Sequence, residues 1–180
     1  MNGTADGHSE KQGSIVESAD ISHLQQYDLL IIGAGIGGIN VAYRFQERFP
    51  NLTYAILEAR REVGGTWDLF RYPGVRSDSD LYTFGFEWRP WPERIPIVEG
   101  GKILQYLKDS IAESGIDKNI HFQSKVIESN WSSSDQAWTL AAETVENESE
   151  SKHLKFYRGR FLVFASGYGF ISGLVSNPPC

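Results

Sequence analysis

Cysteine is almost missing from this chain: its 180 residues hold one, Cys180, at the last position. One thiol excludes an intramolecular disulfide, and no Cys/His spacing points to a metal site. It suits a reducing, cytoplasmic setting. No run of about 18 apolar residues occurs, so no transmembrane helix is expected. Residues 1–26 carry no apolar h-region, and no secretory signal is expected there. Basic residues are outnumbered, 17 against 23 acidic, and the net charge of −6 argues against nucleic acid or an anionic membrane as partner. Four histidines are present, with no pairing or spacing suited to catalysis. His8 and His23 fall in a polar leader. His121 and His153 alternate with apolar strand residues and are expected to face solvent. No Ser/His/Asp or Cys/His arrangement is evident. A hydrophobic content of 41% is enough for a packed core, and the length suits one domain.

The richest stretch is residues 27–58, YDLLIIGAGIGGINVAYRFQERFPNLTYAILE. An apolar run, Leu29–Ile32, leads into Gly33-Ala34-Gly35-Ile36-Gly37-Gly38. A helical pattern follows to Phe49, Pro50 stops it, and a second apolar run ends on Glu58. A dinucleotide-binding βαβ unit needs this order. Gly33 allows the tight turn, Gly35 lets the backbone approach a pyrophosphate, and Gly38 lets helix and strand pack closely. Phosphates would rest on free N–H groups at the helix N-terminus, where the dipole favours negative charge. Glu58, at the end of the second strand, can accept hydrogen bonds from a ribose diol. Its charge would repel a 2′-phosphate, so the nucleotide here is expected to be FAD or NAD rather than NADP.

The remaining pattern is α/β with a disordered leader over 1–26 and an irregular tail over 171–180. The strands are expected at Asp28–Ile32, Thr53–Leu57, Ile120–Phe122, Ser124–Trp131 and Ala137–Glu143, then at His153–Tyr157 and Arg160–Phe164. Residues 59–99 lack a period and are rich in Gly, Pro, Arg and aromatics. A structureless stretch this long is usually functional. A helix is expected over KILQYLKDSIAESG, with Ile103, Leu104, Leu107, Ile111 and Ala112 on its buried face and Gly115 as its C′ residue. The acidic loop Glu146–Lys152 reads as solvated. The hairpin-rich section before Phe161 reads as an antiparallel β-meander inserted ahead of a last parallel strand. That strand delivers Ala165-Ser166-Gly167-Tyr168 to the ligand edge of the sheet.

Residues 64–91, GGTWDLFRYPGVRSDSDLYTFGFEWRPW, closely resemble the stretch after the second strand in class B flavoprotein monooxygenases. These are the Baeyer–Villiger monooxygenases and the related flavin-containing monooxygenases. The resemblance runs from about Tyr27 to Tyr168. It implies a Rossmann-type FAD-binding domain over 27–170, with a parallel sheet and the meander insertion. It also implies that Gly64, Gly65, Thr66, Trp67, Asp68, Arg71, Tyr72, Pro73, Gly74, Arg76 and Asp78 lie in a segment wrapping the flavin side of FAD. Ala165–Tyr168 resembles the turn that closes the FAD site, which places Gly167 there, and Val126 matches a backbone contact to the adenine. Asp78 is the candidate charge-tuning, catalytic residue; a turn or N-cap role suits it equally well by type. Arg76 and Ser77 match positions that touch NADP. Trp67 reads either as a flat wall for the cofactor or as core packing.

The family's second Gly-rich motif for NADPH, and its F-x-G-x-x-x-H-x-x-x-W fingerprint, are not in this sequence. The chain is therefore expected to be the FAD-binding portion of an NADPH-using monooxygenase acting on a small organic molecule, whether truncated, mis-spliced or a stand-alone remnant. A non-catalytic flavin-binding module is the alternative, and an NAD-linked dehydrogenase a weaker one. Such a fragment is expected to expose its aromatic segment, Tyr82 to Trp91, and to self-associate or bind a partner chain.

Overall fold

The computed structural model describes residues 14–16, 24–145 and 151–167. Most of the expected leader, the loop 146–150, Tyr168 and the tail 171–180 lie outside them. The elements run β1 (Gln25–Ile32), α1 (Ile36–Arg48), β2 (Tyr54–Leu57), one-turn helices α2 (Thr66–Leu69) and α3 (Leu81–Phe84), α4 (Gly100–Ser114), a 3-10 turn (Ile116–Asn119), β3 (Ile120–His121), β4 (Ser124–Ser132), β5 (Ala137–Val145) and β6 (Lys152–Phe164). β1 thus starts at Gln25, inside the stretch read as leader.

All six strands join one sheet in the order β3-β2-β1-β6-β5-β4. β1 is parallel to β2 and β6, and β2 is parallel to β3. β4, β5 and β6 form the antiparallel meander. The Leu29–Ile32 run is buried on both faces, as a central parallel strand must be. Leu29 and Ile31 face a core shared with α1 and α4, which contains Ile39, Ala42, Ile103 and Leu107. Leu30 and Ile32 face a second core with Ala55, Leu57, Val126, Leu140, Ala142 and Tyr157.

The second core exists because the sheet folds back on itself. Ser124 N–H, at the start of β4, donates to the Glu58 carbonyl at 2.9 Å, just past the end of β2. The antiparallel meander stands ahead of the last parallel segment, as expected, but runs into it without a break. The two strands expected at 153–157 and 160–164 are one, β6, whose first part pairs with β5 and whose second part pairs with β1. Gly159, which reads as a break, is a packing site: a Cβ there would lie 2.7 Å from Leu30 Cγ.

The helices follow the pattern with small shifts. α1 ends where Phe49 N–H donates to the Phe45 carbonyl, just before Pro50. α4 takes Gly100 and Gly101 into its first turn and ends on Gly115 in the left-handed region (φ 71°). Its buried face includes Tyr106 and Ser110, while Ala112 is exposed.

Two expectations about side chains are corrected. The Tyr82–Trp91 aromatics are not an uncovered patch. Trp88 stacks on Tyr43 (3.8 Å between centroids) and on Phe86 (4.6 Å), Phe86 stacks on Tyr106, and Trp91 meets Tyr106 edge-on. Phe86 and Trp91 are buried, and Tyr82 alone of the set is an exposed large hydrophobic, at 58%. His121 does not face solvent freely. It is half-buried, its Nε2 lies 3.2 Å from the Tyr27 hydroxyl, and its ring meets Tyr157 edge-on. Burial, and then the Lys155 charge, push its pKa below the ordinary histidine value. His153 is exposed, as expected.

Candidate functional site

Three turns converge where β1, β2 and β6 end. Gly33 carries φ 104°, a conformation that glycine adopts without strain. Its N–H donates to the Leu57 carbonyl at 2.9 Å. A Cβ at Gly33 would lie 2.6 Å from the Ala165 carbonyl oxygen, so the turn after β1 and the turn after β6 pack backbone to backbone. Ala165 N–H, in return, donates to the Ile32 carbonyl.

α1 starts from Gly35 with no side-chain cap and no acidic residue in its first turn. The first four N–H groups of a helix have no acceptor within it. Here they belong to Gly35, Ile36, Gly37 and Gly38. Gly38 is required by packing, since its Cβ would fall 2.0 Å from the Gly33 carbonyl oxygen; around Gly37 there is open space within 4 Å. The second glycine turn meets the first here. A Cβ on Gly65 would lie 3.0 Å from Gly35 Cα, and Gly64 N–H donates to the Ala34 carbonyl at 3.0 Å. A cleft of about 390 Å3, lined by Ile36, Gly37, Asn40, Arg44 and Phe84–Glu87, opens beside this helix start. A larger cleft of about 590 Å3 lies elsewhere, at the C-terminal end of α1, among Tyr27, Tyr43, Phe49 and Tyr54. None of the glycines above lines it.

Glu58 is 6% exposed and points its carboxylate at the Gly33–Gly38 loop. Ala34 N–H donates to Oε2 at 2.7 Å, and Arg60 N–H donates to Oε1 at 3.0 Å. The Arg60 guanidinium lies 3.5 Å from Oε1, 3.3 Å from Asp68 Oδ2, and donates to the Gly65 carbonyl at 2.9 Å. Arg71 completes the group with 2.9 Å to Asp68 Oδ1. Arg60 thus ties the terminal acid of β2 to the second glycine turn. Sequence reading missed it; its signal was a basic residue two positions after that acid.

The other expected residues sit as follows. Thr66 is exposed at the start of α2, and Trp67 is half-buried against the α4 core, edge-on to Phe84 at 6.1 Å. Asp68 is buried between its two arginines. Asp78 and Arg76 are exposed. The N-cap of α3 is Asp80, which accepts from Thr83 N–H, so capping does not fall to Asp78. Ser77 is 3% exposed, and its hydroxyl accepts from Val98 N–H at 3.2 Å, so its side chain is turned inward. Val126 lies in the second core, two residues beyond the Ser124 contact with Glu58. Gly167 is exposed past the end of β6. The structure therefore brings together Gly33, Gly35, Gly38, Glu58, Gly65 and the Ala165 turn, while Arg76, Ser77 and Asp78 lie on a separate strap bridged to Glu99.

The fold has counterparts among known proteins. Residues 31–91 match the family described as NAD(P)-binding Rossmann-like domain. The FAD-containing monooxygenase EthA of Mycobacterium tuberculosis is 52% identical over 116 residues, which are 64% of this chain and 24% of EthA. The chain is homologous to the N-terminal part of FAD-containing monooxygenases. A putative FAD-containing monooxygenase, MymA, from the same organism is 45% identical over 144 residues, 80% of this chain and 28% of MymA. Among solved structures, an oxidized steroid monooxygenase bound to NADP superposes with a TM-score of 0.67 at 26% identity, covering 79% of this chain and 26% of that one. The chain spans about a quarter of the length of the relatives it matches.

Proposed function

We propose that this chain binds FAD and forms the FAD-binding portion of an NADPH-using monooxygenase. The reaction class is Baeyer–Villiger or heteroatom oxygenation of a small organic molecule. A cytoplasmic setting is part of the proposal. It draws on the single cysteine and on there being no helix, among the described residues, long and apolar enough to cross a membrane.

The observation that carries the reading is the meeting of the two glycine turns over the open start of α1, with the Glu58 carboxylate fixed beside them. Free N–H groups and a helix dipole suit a pyrophosphate. Two loops held a glycine's width apart leave room for the phosphates to approach the backbone. Glu58 presents a carboxylate with roughly four lone-pair sites, enough to keep acceptor capacity for a ribose hydroxyl beside the N–H groups it already takes. The same charge disfavours a 2′-phosphate here, so NADPH would be met elsewhere. Arg76 and Asp78, exposed on their strap, are the residues proposed to face the flavin and nicotinamide side. Ser77 could contribute there through its backbone only.

When bound, FAD would supply the electron transfer and oxygen chemistry. The residues of this chain bind the cofactor, orient it and set the charge around it.

Titration of the purified chain with FAD, and separately with NAD, tests the reading. Saturable one-to-one FAD binding with a yellow product is expected, and Gly35→Val should abolish it while circular dichroism stays unchanged. The same preparation is expected to consume no NADPH when a ketone or sulfide is added. Preference for NAD over FAD, or full flavin retention by folded Gly35→Val, would overturn the assignment.

A further inference from the structure

Asp68 stands inside a line of alternating charges. Glu58, Arg60, Asp68 and Arg71 pair in turn, each ion pair closing within 3.5 Å. The Asp68 side chain is 10% exposed, and both its carboxylate oxygens are engaged. Oδ2 lies 3.3 Å from the Arg60 guanidinium, and Oδ1 accepts from Arg71 at 2.9 Å. Each oxygen faces an arginine, so Asp68 is placed to hold other residues rather than a cofactor. The two arginines serve different parts of the site. Arg60 also reaches Glu58 and the Gly65 carbonyl, where the two glycine turns meet. Arg71 opens the strap that runs on to Arg76, Ser77 and Asp78, and its Nε donates to the Asp68 carbonyl at 3.1 Å. The rings on either side of it, Phe70 and Tyr72, are exposed and belong to neither core. Further along, the Val75 carbonyl accepts from Gly100 N–H, and Ser77 N–H donates to the Val98 carbonyl. The strap is thus fixed at its far end by backbone bonds and at its near end by Arg71 on Asp68.

We propose that Asp68 is a positioning residue: it fixes the start of the strap against the nucleotide turn, so that binding of the flavin half of FAD, but not of the adenosine half, depends on it. The inference rests on the FAD reading above, with the strap on the flavin side. The geometry separates the two halves. Without the Asp68 charge, Arg60 keeps Glu58 and the Gly65 carbonyl, so the cradle for the pyrophosphate stands. Arg71 keeps only a backbone carbonyl, and a hydrogen bond to a neutral acceptor is weaker than one to a carboxylate. Its side chain is 77% exposed and free to turn away. A loosened strap must then be ordered when the flavin binds. That ordering lowers the affinity for FAD and leaves ADP, which has no flavin half, untouched.

Titration of the full chain and of Asp68→Asn with FAD, and separately with ADP, tests this. Asn keeps the shape of Asp68 and removes its charge. FAD affinity should fall about tenfold, while ADP affinity stays within about twofold. Arg71→Met changes an exposed side chain, so it should fold even if Asp68→Asn does not, and it should show the same selective loss. The double variant should lose no more than either single one, because both remove one pair. A merely structural role for Asp68 would lower the melting temperature and weaken both ligands alike. Equal losses of FAD and ADP, or unchanged FAD affinity, would overturn the proposal and leave the FAD reading standing. So would additive losses in the double variant, which would mean that Arg71 meets the flavin independently of Asp68. A wild-type chain that does not bind FAD would overturn the reading beneath the proposal, and the proposal with it.

Discussion

Gly38→Ala and Gly37→Ala make a sharp test of how the nucleotide turn is built, because the two sites are adjacent in α1 and should respond with opposite sign. At both, alanine gains helix propensity of about 0.8–1.0 kcal/mol over glycine. At Gly37 a Cβ meets nothing within 4 Å, so that gain should appear nearly whole. At Gly38 the Cβ would fall 2.0 Å from the Gly33 carbonyl oxygen, where ordinary contact begins at 3.4 Å. The obstacle is backbone, and it is pinned: Gly33 N–H is held by Leu57, Ala34 N–H by Glu58, and the Ala165 carbonyl presses on Gly33 from the other side. α1 must therefore move off β1. Overpacking typically costs about 1–3 kcal/mol, and a fixed carbonyl places this case at the upper end. After the propensity gain, a net loss of about 2 kcal/mol is expected for Gly38→Ala. Urea unfolding followed by tryptophan fluorescence reads both variants. Gly38→Ala as stable as the parent, or Gly37→Ala destabilised by as much as Gly38→Ala, would refute the close-packed turn described above.

Arg60→Met removes the cation shared by Glu58 and Asp68, leaving Asp68 to Arg71 and Glu58 to two backbone N–H groups; a loss of about 1–2 kcal/mol is expected from the weakened carboxylate pairing, read by urea unfolding, with weaker FAD binding by titration. His121 is held below its ordinary pKa of 6.5 by burial and by Lys155. Above that value it is neutral in both states. Below it the unfolded chain takes the proton first, so stability should fall as pH drops beneath about 6.5; His121→Gln should flatten that fall in melting curves taken from neutral to mildly acidic pH.

Much of the candidate site could be read from sequence because its demands are local. A strand, a glycine turn, a helix and a second strand ending in an acid follow one another within 32 residues, and the Gly38 contact with Gly33 is local as well. Gly115 as a helix terminator is local in the same way. What escaped depends on contacts distant in sequence. Gly159 reads as a strand break, yet Leu30 of β1 is what makes a side chain there impossible. The half-burial of His121 comes from Tyr27 and Tyr157, residues whose approach follows from the sheet folding back. The Tyr82–Trp91 aromatics reveal no period, and Tyr43 and Tyr106, which cover them, come from two different helices. The ion pair between Arg60 and Asp68 joins the segment after β2 to α2, a geometry that sequence alone does not supply.

Glu58 shows why the nucleotide reading and the folding reading of one residue must be kept apart. Its N–H donates to the His121 carbonyl, its own carbonyl accepts from Ser124, and its carboxylate takes Ala34 and Arg60 N–H groups. The backbone bonds close the sheet and would persist with any side chain. The carboxylate bonds hold the glycine turn and would weaken with Gln, which offers one carbonyl oxygen and no charge to Arg60. An acid in this position therefore orders the turn proposed to carry the phosphates. On that proposal the same side chain would build the cradle and also offer the ribose an acceptor. A ligand that accepts hydrogen bonds at α1 and donates them at Glu58 would meet both halves of one preformed unit, which is the preorganisation a tightly held dinucleotide requires.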